Sequence, residues 1–95
     1  MRQVAAGTKI VAAAATPERL VATSLNCQRI FLQARADSSG TPLNTKPVLV
    51  GAQGYETLRI MPNQLTPIPI YWENAYTLFV KSGANGEGVD YVIFR

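Results

Sequence analysis

Histidine is absent from this 95-residue chain, and cysteine occurs once, at Cys27. Without histidine, the chain lacks the side chain whose ordinary pKa is nearest to neutral pH, which is the most common general acid or base in enzymes. A single cysteine excludes an intramolecular disulfide and any metal site built on several cysteine ligands. Because Cys27 also has no histidine to activate it and falls inside a predicted strand, we interpret it as a small buried apolar residue.

Charged residues are scarce as well, at 16% of the chain with a net charge of +3. A glycosidase needs two carboxylates that face each other across a cleft, whereas the acidic residues here lie singly in turns or near strand ends. These residues are Glu18, Asp37, Glu56, Glu73, Glu87 and Asp90. The segments GAQG and SGANGEG lack the lysine and the helix that a phosphate-binding loop needs. We therefore expect no enzymatic activity, no cofactor and no metal site.

No apolar run approaches the ~18–20 residues of a membrane span, so we expect no membrane partner. Residues 1–16 contain Arg2 and an alanine-rich stretch that superficially resembles a signal peptide. Gly7, Thr8 and Lys9 interrupt that stretch, so we expect no cleavage. Nothing in the cysteine content indicates an oxidising compartment, and synthesis in a cytoplasm is the default expectation. The length predicts one domain, and 47% hydrophobic residues argue against disorder.

Alternating apolar residues predict strands. In CQRIFLQAR, from Cys27 to Arg35, the side chains of Ile30, Leu32 and Ala34 share one face, as a half-buried strand requires. Phe31 shares the opposite, polar face, which indicates that this second face is also partly covered.

The C-terminal segments AYTLFVK and VDYVIFR show the same period. Two sets of residues each share a strand face: Tyr76, Leu78 and Val80 in the first segment, and Val89, Tyr91 and Ile93 in the second. The Asn85-Gly86 pair between them favours the positive φ angles of a tight turn, so we predict a hairpin here.

Shorter segments complete the pattern of seven or eight short strands at intervals of about 8–12 residues. Extended runs are predicted at residues 9–14, 19–22, 47–51 and 57–61, and a loop at 37–44. For the alanine run within residues 9–14, a helical turn is the alternative. Pro67 and Pro69 confine Ile68 to a sheet edge or a connection. This spacing predicts an antiparallel β-sandwich or a small barrel. Residues 1–9 lack a core face of their own, so we predict that they form an extended N-terminal arm, with the β-sandwich domain in residues 10–95.

The face that carries Phe31 has an alternative interpretation. Arg29 and Arg35 flank Phe31 there, which is compatible with a stacking groove for single-stranded nucleic acid in an OB-like barrel. The basic residues are otherwise dispersed, which favours a solvated face with one aromatic ring under the arginine stems. An OB-like nucleic-acid-binding module is therefore the alternative function. The small positive charge also fits a partner with an acidic surface.

Aromatic residues supply the candidate binding site. Tyr71 and Trp72 follow the proline-bracketed stretch, and Tyr55 lies in a predicted loop. Such residues either anchor an interface or carbohydrate, or they cap the core, and both interpretations stay open. With the start of the arm, the candidate protein-interface residues are Arg2, Gln3, Val4, Tyr55, Tyr71 and Trp72.

Five segments in sequence order carry a family resemblance: TPERLV, CQRIFLQA, PVLVG, LRIMPNQ and PIPIYWENAYTLFVKSGANGEGVDYVIFR. This arrangement of strands and turns resembles the small virion structural proteins of tailed bacteriophages, and the likeness extends from Thr8 to Arg95. The chain departs from the pattern at Asn63, where glycine is usual. Asparagine tolerates the left-handed conformation, so the turn is expected to survive.

The resemblance implies a jelly-roll-like antiparallel β-sandwich in a single all-β domain. It also implies a capsid cement or decoration protein on the capsid surface of a virion, with the major capsid protein and its own copies, as a trimer or dimer, for partners. A tail or head-fibre adaptor of the same virion is a further alternative. Nucleic acid is not an expected partner.

Overall fold

The computed structural model describes residues 2–95, which fold into two four-stranded antiparallel sheets. The strands are β1 (Gln3–Val11), β2 (Glu18–Arg19), β3 (Arg29–Ala34), β4 (Val48–Ala52), β5 (Tyr55–Ile60), β6 (Ile68–Tyr71), β7 (Phe79–Ser82) and β8 (Glu87–Phe94). Sheet A has the order β1-β8-β3-β6, and sheet B has the order β2-β7-β4-β5. A 3₁₀ turn at Ala75–Thr77 precedes β7. The predicted all-β, single-domain fold is confirmed.

The pairing follows a regular scheme. The first strand pairs with the last, the second with the seventh, the third with the sixth and the fourth with the fifth. Two further pairings, β3 with β8 and β4 with β7, join these ribbons into the two sheets. The chain therefore runs as one long hairpin that is folded over itself.

The core lies between the sheets and is formed by alternate residues of the strands. In β3, Ile30, Leu32 and Ala34 are fully buried, as the period of two predicts. In β8, Val89 and Ile93 are fully buried as well. The other fully or almost fully buried large aliphatic side chains are Val11, Val48, Val50, Ile60, Leu78 and Val80. The radius of gyration is 12.0 Å, close to the value of about 12 Å for a compact domain of this length.

The predicted C-terminal hairpin is wrong. β7 pairs with β2 and β4, whereas β8 pairs with β1 and β3, so these consecutive strands belong to different sheets. The turn that contains Gly86 (φ 77°) instead crosses between the sheets, and the Gly86 N–H donates to the Val11 carbonyl at 2.8 Å. Tyr76 lies in the 3₁₀ turn and not in a strand. Turn chemistry marks a reversal of the chain, but it does not determine which neighbours the two strands select.

In the described residues, the segment predicted as an N-terminal arm is part of a strand of sheet A. Residues 3–9 form most of β1, which pairs with β8 with one irregularity between Gln3 and Ala5, so the predicted boundary at residues 9 and 10 falls inside a strand. Val4 and Ala5 pack against the core. Met1, the first residue of the predicted arm, lies outside the described residues. Backbone pairing with β8 holds this segment although its sequence supplies only a weak core face.

Two buried polar side chains join the 44–46 segment to the start of β8. Asn44 donates to the Gly88 carbonyl at 2.7 Å and accepts from the Gly88 N–H at 3.1 Å. The carboxylate of Glu87 accepts from the N–H and hydroxyl of Thr45 at 2.8 and 2.6 Å, and from the N–H of Lys46 at 3.0 Å. Asn44 and Glu87 thus replace strand pairing where the chain passes between the sheets.

Candidate interaction surface

A groove lies where the edge strand β5 of sheet B approaches the edge strand β6 of sheet A. Its volume is about 360 Å³. Three of the six candidate residues, Tyr55, Tyr71 and Trp72, line it together. The other side chains and backbone around it belong to Val50, Gly51, Ala52, Thr57, Leu58, Ile70 and Leu78. We call this feature the aromatic groove.

Tyr71 is positioned by its place at the end of an edge strand. Its partner in β3 is Arg29, whose guanidinium lies 5.0 Å from the centre of the Tyr71 ring. The guanidinium is also 3.4 Å from the Tyr71 hydroxyl. Tyr71 is nevertheless 77% exposed, so most of its ring is available to a partner.

Trp72 is held more firmly than Tyr71. Its indole N–H donates to the Thr77 hydroxyl at 2.9 Å, and its carbonyl accepts from the Cys27 thiol at 3.0 Å. The backbone N–H donates to the carbonyl of Gln28 at 3.3 Å. The half-buried ring also packs against the core. Trp72 therefore caps the core and also forms a wall of the groove, whereas its role as an interface anchor stays a prediction.

Tyr55 is the first residue of β5 and is 75% exposed. The structure places it in a strand and not in the predicted loop. The preceding turn contains Gly54 at φ 82°, and the Gly54 N–H donates to the buried carboxylate of Glu56 at 2.6 Å. Lys81 lies 3.9 Å from the same carboxylate. These contacts fix the turn and so hold Tyr55 at the rim of the groove.

The other three candidate residues lie on the opposite edge of sheet A. Register aligns Gln3 with Phe94, Phe94 with Arg29, and Arg29 with Tyr71. Three strand spacings of about 4.8 Å thus separate Gln3 from Tyr71, or about 14 Å. Arg2 and Gln3 are exposed, whereas Val4 is half-buried against the core. The structure does not bring these residues to the aromatic groove.

The face of β3 that suggested a nucleic-acid site is occupied by contacts within the chain. Phe31 packs against Phe94 in an edge-to-face arrangement, with ring centroids 5.4 Å apart. Arg29 contacts Tyr71, and Arg35 lies 3.3 Å from the carbonyl of Gly86. The ring of Phe31 thus packs against Phe94 and not under arginine stems as predicted, because Arg29 contacts Tyr71 instead.

Cys27 contacts the backbone of Trp72 and is 8% exposed. Burial raises the pKa of its thiol, although a backbone N–H acts in the opposite direction. The neutral thiol and its hydrogen bond to Trp72 make Cys27 a packing residue. Among residues 2–95, no group of three or more acidic or cysteine side chains lies close enough to hold a metal ion.

The aromatic groove can contribute binding free energy when a partner buries its exposed side chains. A tyrosine side chain buries on the order of 150 Å² or more in an interface, and about three quarters of that area is free at Tyr55 and Tyr71. At ~25 cal/mol per Å², covering each ring contributes up to about 3 kcal/mol. Such values are typical of the few residues that dominate a protein interface.

Sequence reasoning missed the aliphatic part of the groove. Leu58 is 37% exposed on β5, and Ile70 is half-buried between Pro69 and Tyr71. Both occupy positions that the alternating pattern assigns to the interior, and they are partly open because their strands are sheet edges. The proline pair indicated the edge at β6, but no local signal places β5 beside it.

No helix in residues 2–95 has the length and apolar character that crossing a membrane would require. A scan against protein-family models and searches of curated proteins and of solved structures found no match to this chain.

Proposed function

We propose that this protein is a structural component of a tailed-bacteriophage virion, of the capsid cement or decoration type. In this role it binds the major capsid protein between neighbouring capsomers and stabilises the head. The observation that carries the proposal is the aromatic groove, where Tyr55 and Tyr71 are largely exposed beside the firmly held Trp72. The resemblance of the strand and turn motifs to small virion proteins supplies the biological setting.

The order of the strands supports the more specific proposal of a jelly roll. Eight strands paired first with last, second with seventh, third with sixth and fourth with fifth are what a single long hairpin gives when it wraps into two sheets. Jelly rolls of eight strands are common among viral capsid domains. This architecture therefore agrees with the virion setting.

The proposed mechanism is adhesion without chemistry. Most acidic side chains are engaged within the chain: Glu18 binds Lys9 at 2.9 Å, and Asp90 accepts from Thr8 at 2.6 Å. Glu56 and Glu87 are buried. The aromatic groove itself is lined by uncharged residues, and the net charge of +3 suits a partner with an acidic surface. Absence of histidine and dispersal of the acids support a non-enzymatic role.

The alternatives differ in how well the fold supports them. Two four-stranded sheets differ from the five-stranded barrel of an OB-fold, so we do not propose nucleic-acid binding. A tail or head-fibre adaptor would use the same aromatic groove and would differ in copy number. Association with other copies of the chain, as a dimer or trimer, belongs to the proposal for either role.

The proposal is tested by sedimenting the protein with purified phage heads that lack it. The variant Tyr55→Ser/Tyr71→Ser is compared with Leu43→Ser, which removes an apolar side chain that is 40% exposed outside the groove. We expect the double variant to bind at least about tenfold more weakly, since every 1.4 kcal/mol corresponds to a factor of about ten. The control is expected to bind normally. Equal binding of all three proteins, or no binding of the unmodified protein, would overturn the proposal.

A further inference from the structure

The four sheet edges are unequally protected against pairing with another strand. β6 contains Pro69 and follows Pro67, and β2 is two residues long. β5 has six residues, of which Glu56 and Arg59 are charged. Prolines, short length and charged residues are the usual means of blocking an edge. β1 contains no proline and is not short: with nine residues, it is the longest strand in the described chain.

The outward-facing backbone of β1 can be identified from its pairing. Gly88 directs its N–H and C=O at Asn44 and therefore away from β1. Backbone groups along an antiparallel strand alternate in direction, so Val89, Tyr91 and Ile93 of β8 face Lys9, Gly7 and Ala5. The residues between these on β1 then direct their N–H and C=O groups toward the open edge. They are Ala6, Thr8 and Ile10.

We propose that two copies of this chain pair through β1, antiparallel, about a two-fold axis at Thr8. In this register Thr8 lies opposite Thr8 of the second copy, and Ala6 lies opposite Ile10. All three outward-facing residues of each copy then form closely spaced hydrogen-bonded pairs, which gives about six backbone hydrogen bonds. The two copies of sheet A become one continuous eight-stranded sheet with isologous symmetry.

Side chains and charges are complementary in this register. The small Ala6 faces the larger Ile10, which is 43% exposed in the single chain. Two threonines face each other, which is a favourable cross-strand pair. Lys9 faces Gly7, and its ammonium group is already 2.9 Å from Glu18. Like charges therefore do not oppose each other across the new pair of strands.

The expected dimer is weak. Contact along one strand edge covers less than the ~1,200 Å² of total area that stable interfaces bury, and such contacts are usually transient. We expect a dissociation constant in the micromolar range or weaker, on the order of 10⁻⁶–10⁻⁴ M. This inference specifies the self-association that the proposed function includes, but it is argued from the edge of β1 and not from the aromatic groove. A failed dimer test would therefore refute the β1 pairing without refuting capsid binding through the groove.

Cysteine cross-linking tests the register in the purified protein. Under a mild oxidant, Thr8→Cys is expected to form disulfide-linked dimers, because residue 8 faces itself. Ile10→Cys serves as the matched control, because its two copies lie four residues apart along the strands, or about 13 Å. A mixture of Ala6→Cys and Ile10→Cys is expected to give the mixed dimer. The buried Cys27 leaves the unmodified protein monomeric on a denaturing gel.

Two results of the cross-linking would contradict the proposed register. If Thr8→Cys remains monomeric, or if Ile10→Cys alone cross-links as fast as Thr8→Cys, the proposed register is wrong.

Sedimentation equilibrium over a range of protein concentrations tests the dimer without cross-linking. We expect Thr8→Val to associate as the unmodified protein does. Thr8→Lys is expected to associate at least about tenfold more weakly, because two lysines would face each other across the axis. If Thr8→Lys lacks native circular dichroism, the cross-linking of Thr8→Cys and Ile10→Cys decides the proposal instead. An unmodified protein that stays monomeric at millimolar concentration would overturn the proposal.

Discussion

Replacing Glu87 with glutamine should lower the stability of the fold substantially. Glu87 is 7% exposed, and its carboxylate accepts three hydrogen bonds from Thr45 and Lys46. Glutamine keeps one oxygen, so its amide nitrogen must face at least one donor, such as the Lys46 N–H. A buried donor without a partner costs about 1–3 kcal/mol, and bonds to a charged acceptor are stronger than neutral ones. We expect a loss of about 2 kcal/mol in the free energy of unfolding.

The loss is measured by thermal and urea unfolding at neutral pH. For a domain of this size, 2 kcal/mol corresponds to a fall in Tm of about 8–16 °C. Glu73→Gln is the matched control: it makes the same change of charge on an exposed side chain. We expect this control to change stability by no more than about 0.5 kcal/mol. Equal stabilities of the two variants would refute the structural role assigned to Glu87.

The same substitution makes a prediction about pH. Burial opposes ionisation of Glu87, but the hydrogen bonds from Thr45 and Lys46 outweigh it and hold the pKa below the ordinary value of 4.5. Because the pKa is lower in the folded state, the ionised carboxylate stabilises the fold above pH ~4.5, and this stability is lost as the pH falls through the folded value. The stability difference between the native protein and Glu87→Gln should therefore shrink below that pH. A difference that is constant from pH 7 to pH 3 would contradict this explanation.

Three further predictions follow from the core and from close backbone contacts. Leu78→Ala should cost about 3 kcal/mol in urea unfolding, because Leu78 is fully buried between the sheets; a cost below ~1 kcal/mol would be inconsistent with that packing. Gly88→Ala should lower the free energy of unfolding by about 4 kcal/mol or more and abolish the native circular dichroism, because the added Cβ atom would overlap the Lys9 carbonyl. Gly40→Ala is the control: no atom lies within 4 Å of its added Cβ, so it should cost only ~1 kcal/mol, which comes from the positive φ of Gly40. The thiol of Cys27 should react with a disulfide reagent far more slowly in the folded protein than in urea, because burial raises its pKa; equal rates would show that the thiol is exposed.

The sequence predicted those parts of the fold that depend on local patterns. The alternation in β3 identified Ile30, Leu32 and Ala34 as core residues, and the prolines around Ile68 identified an edge strand. Both predictions depend on the period of two or on the missing N–H of proline, which act within a few residues.

These local signals do not predict which strands pair over long distances in the sequence. The Asn85-Gly86 pair predicted a hairpin, yet β7 and β8 separate into different sheets because each gains two strand neighbours there. Likewise, residues 3–9 showed only a weak core face, and their position is determined by pairing with residues 89–94 at the other end of the chain. The candidate site divides in the same way: Tyr71 and Trp72 are neighbours in sequence, whereas Tyr55 joins them only because two sheet edges meet.

We propose above all that the protein is a structural part of a phage head. Quantitative mass spectrometry of purified particles, with the major capsid protein as internal standard, counts the copies of this protein in each particle. We expect hundreds of copies per particle, bound in proportion to the capsomers, as repeated symmetric sites require. A count of about a dozen or fewer would indicate an adaptor at a single vertex, and absence of the protein from intact particles would contradict the claim itself.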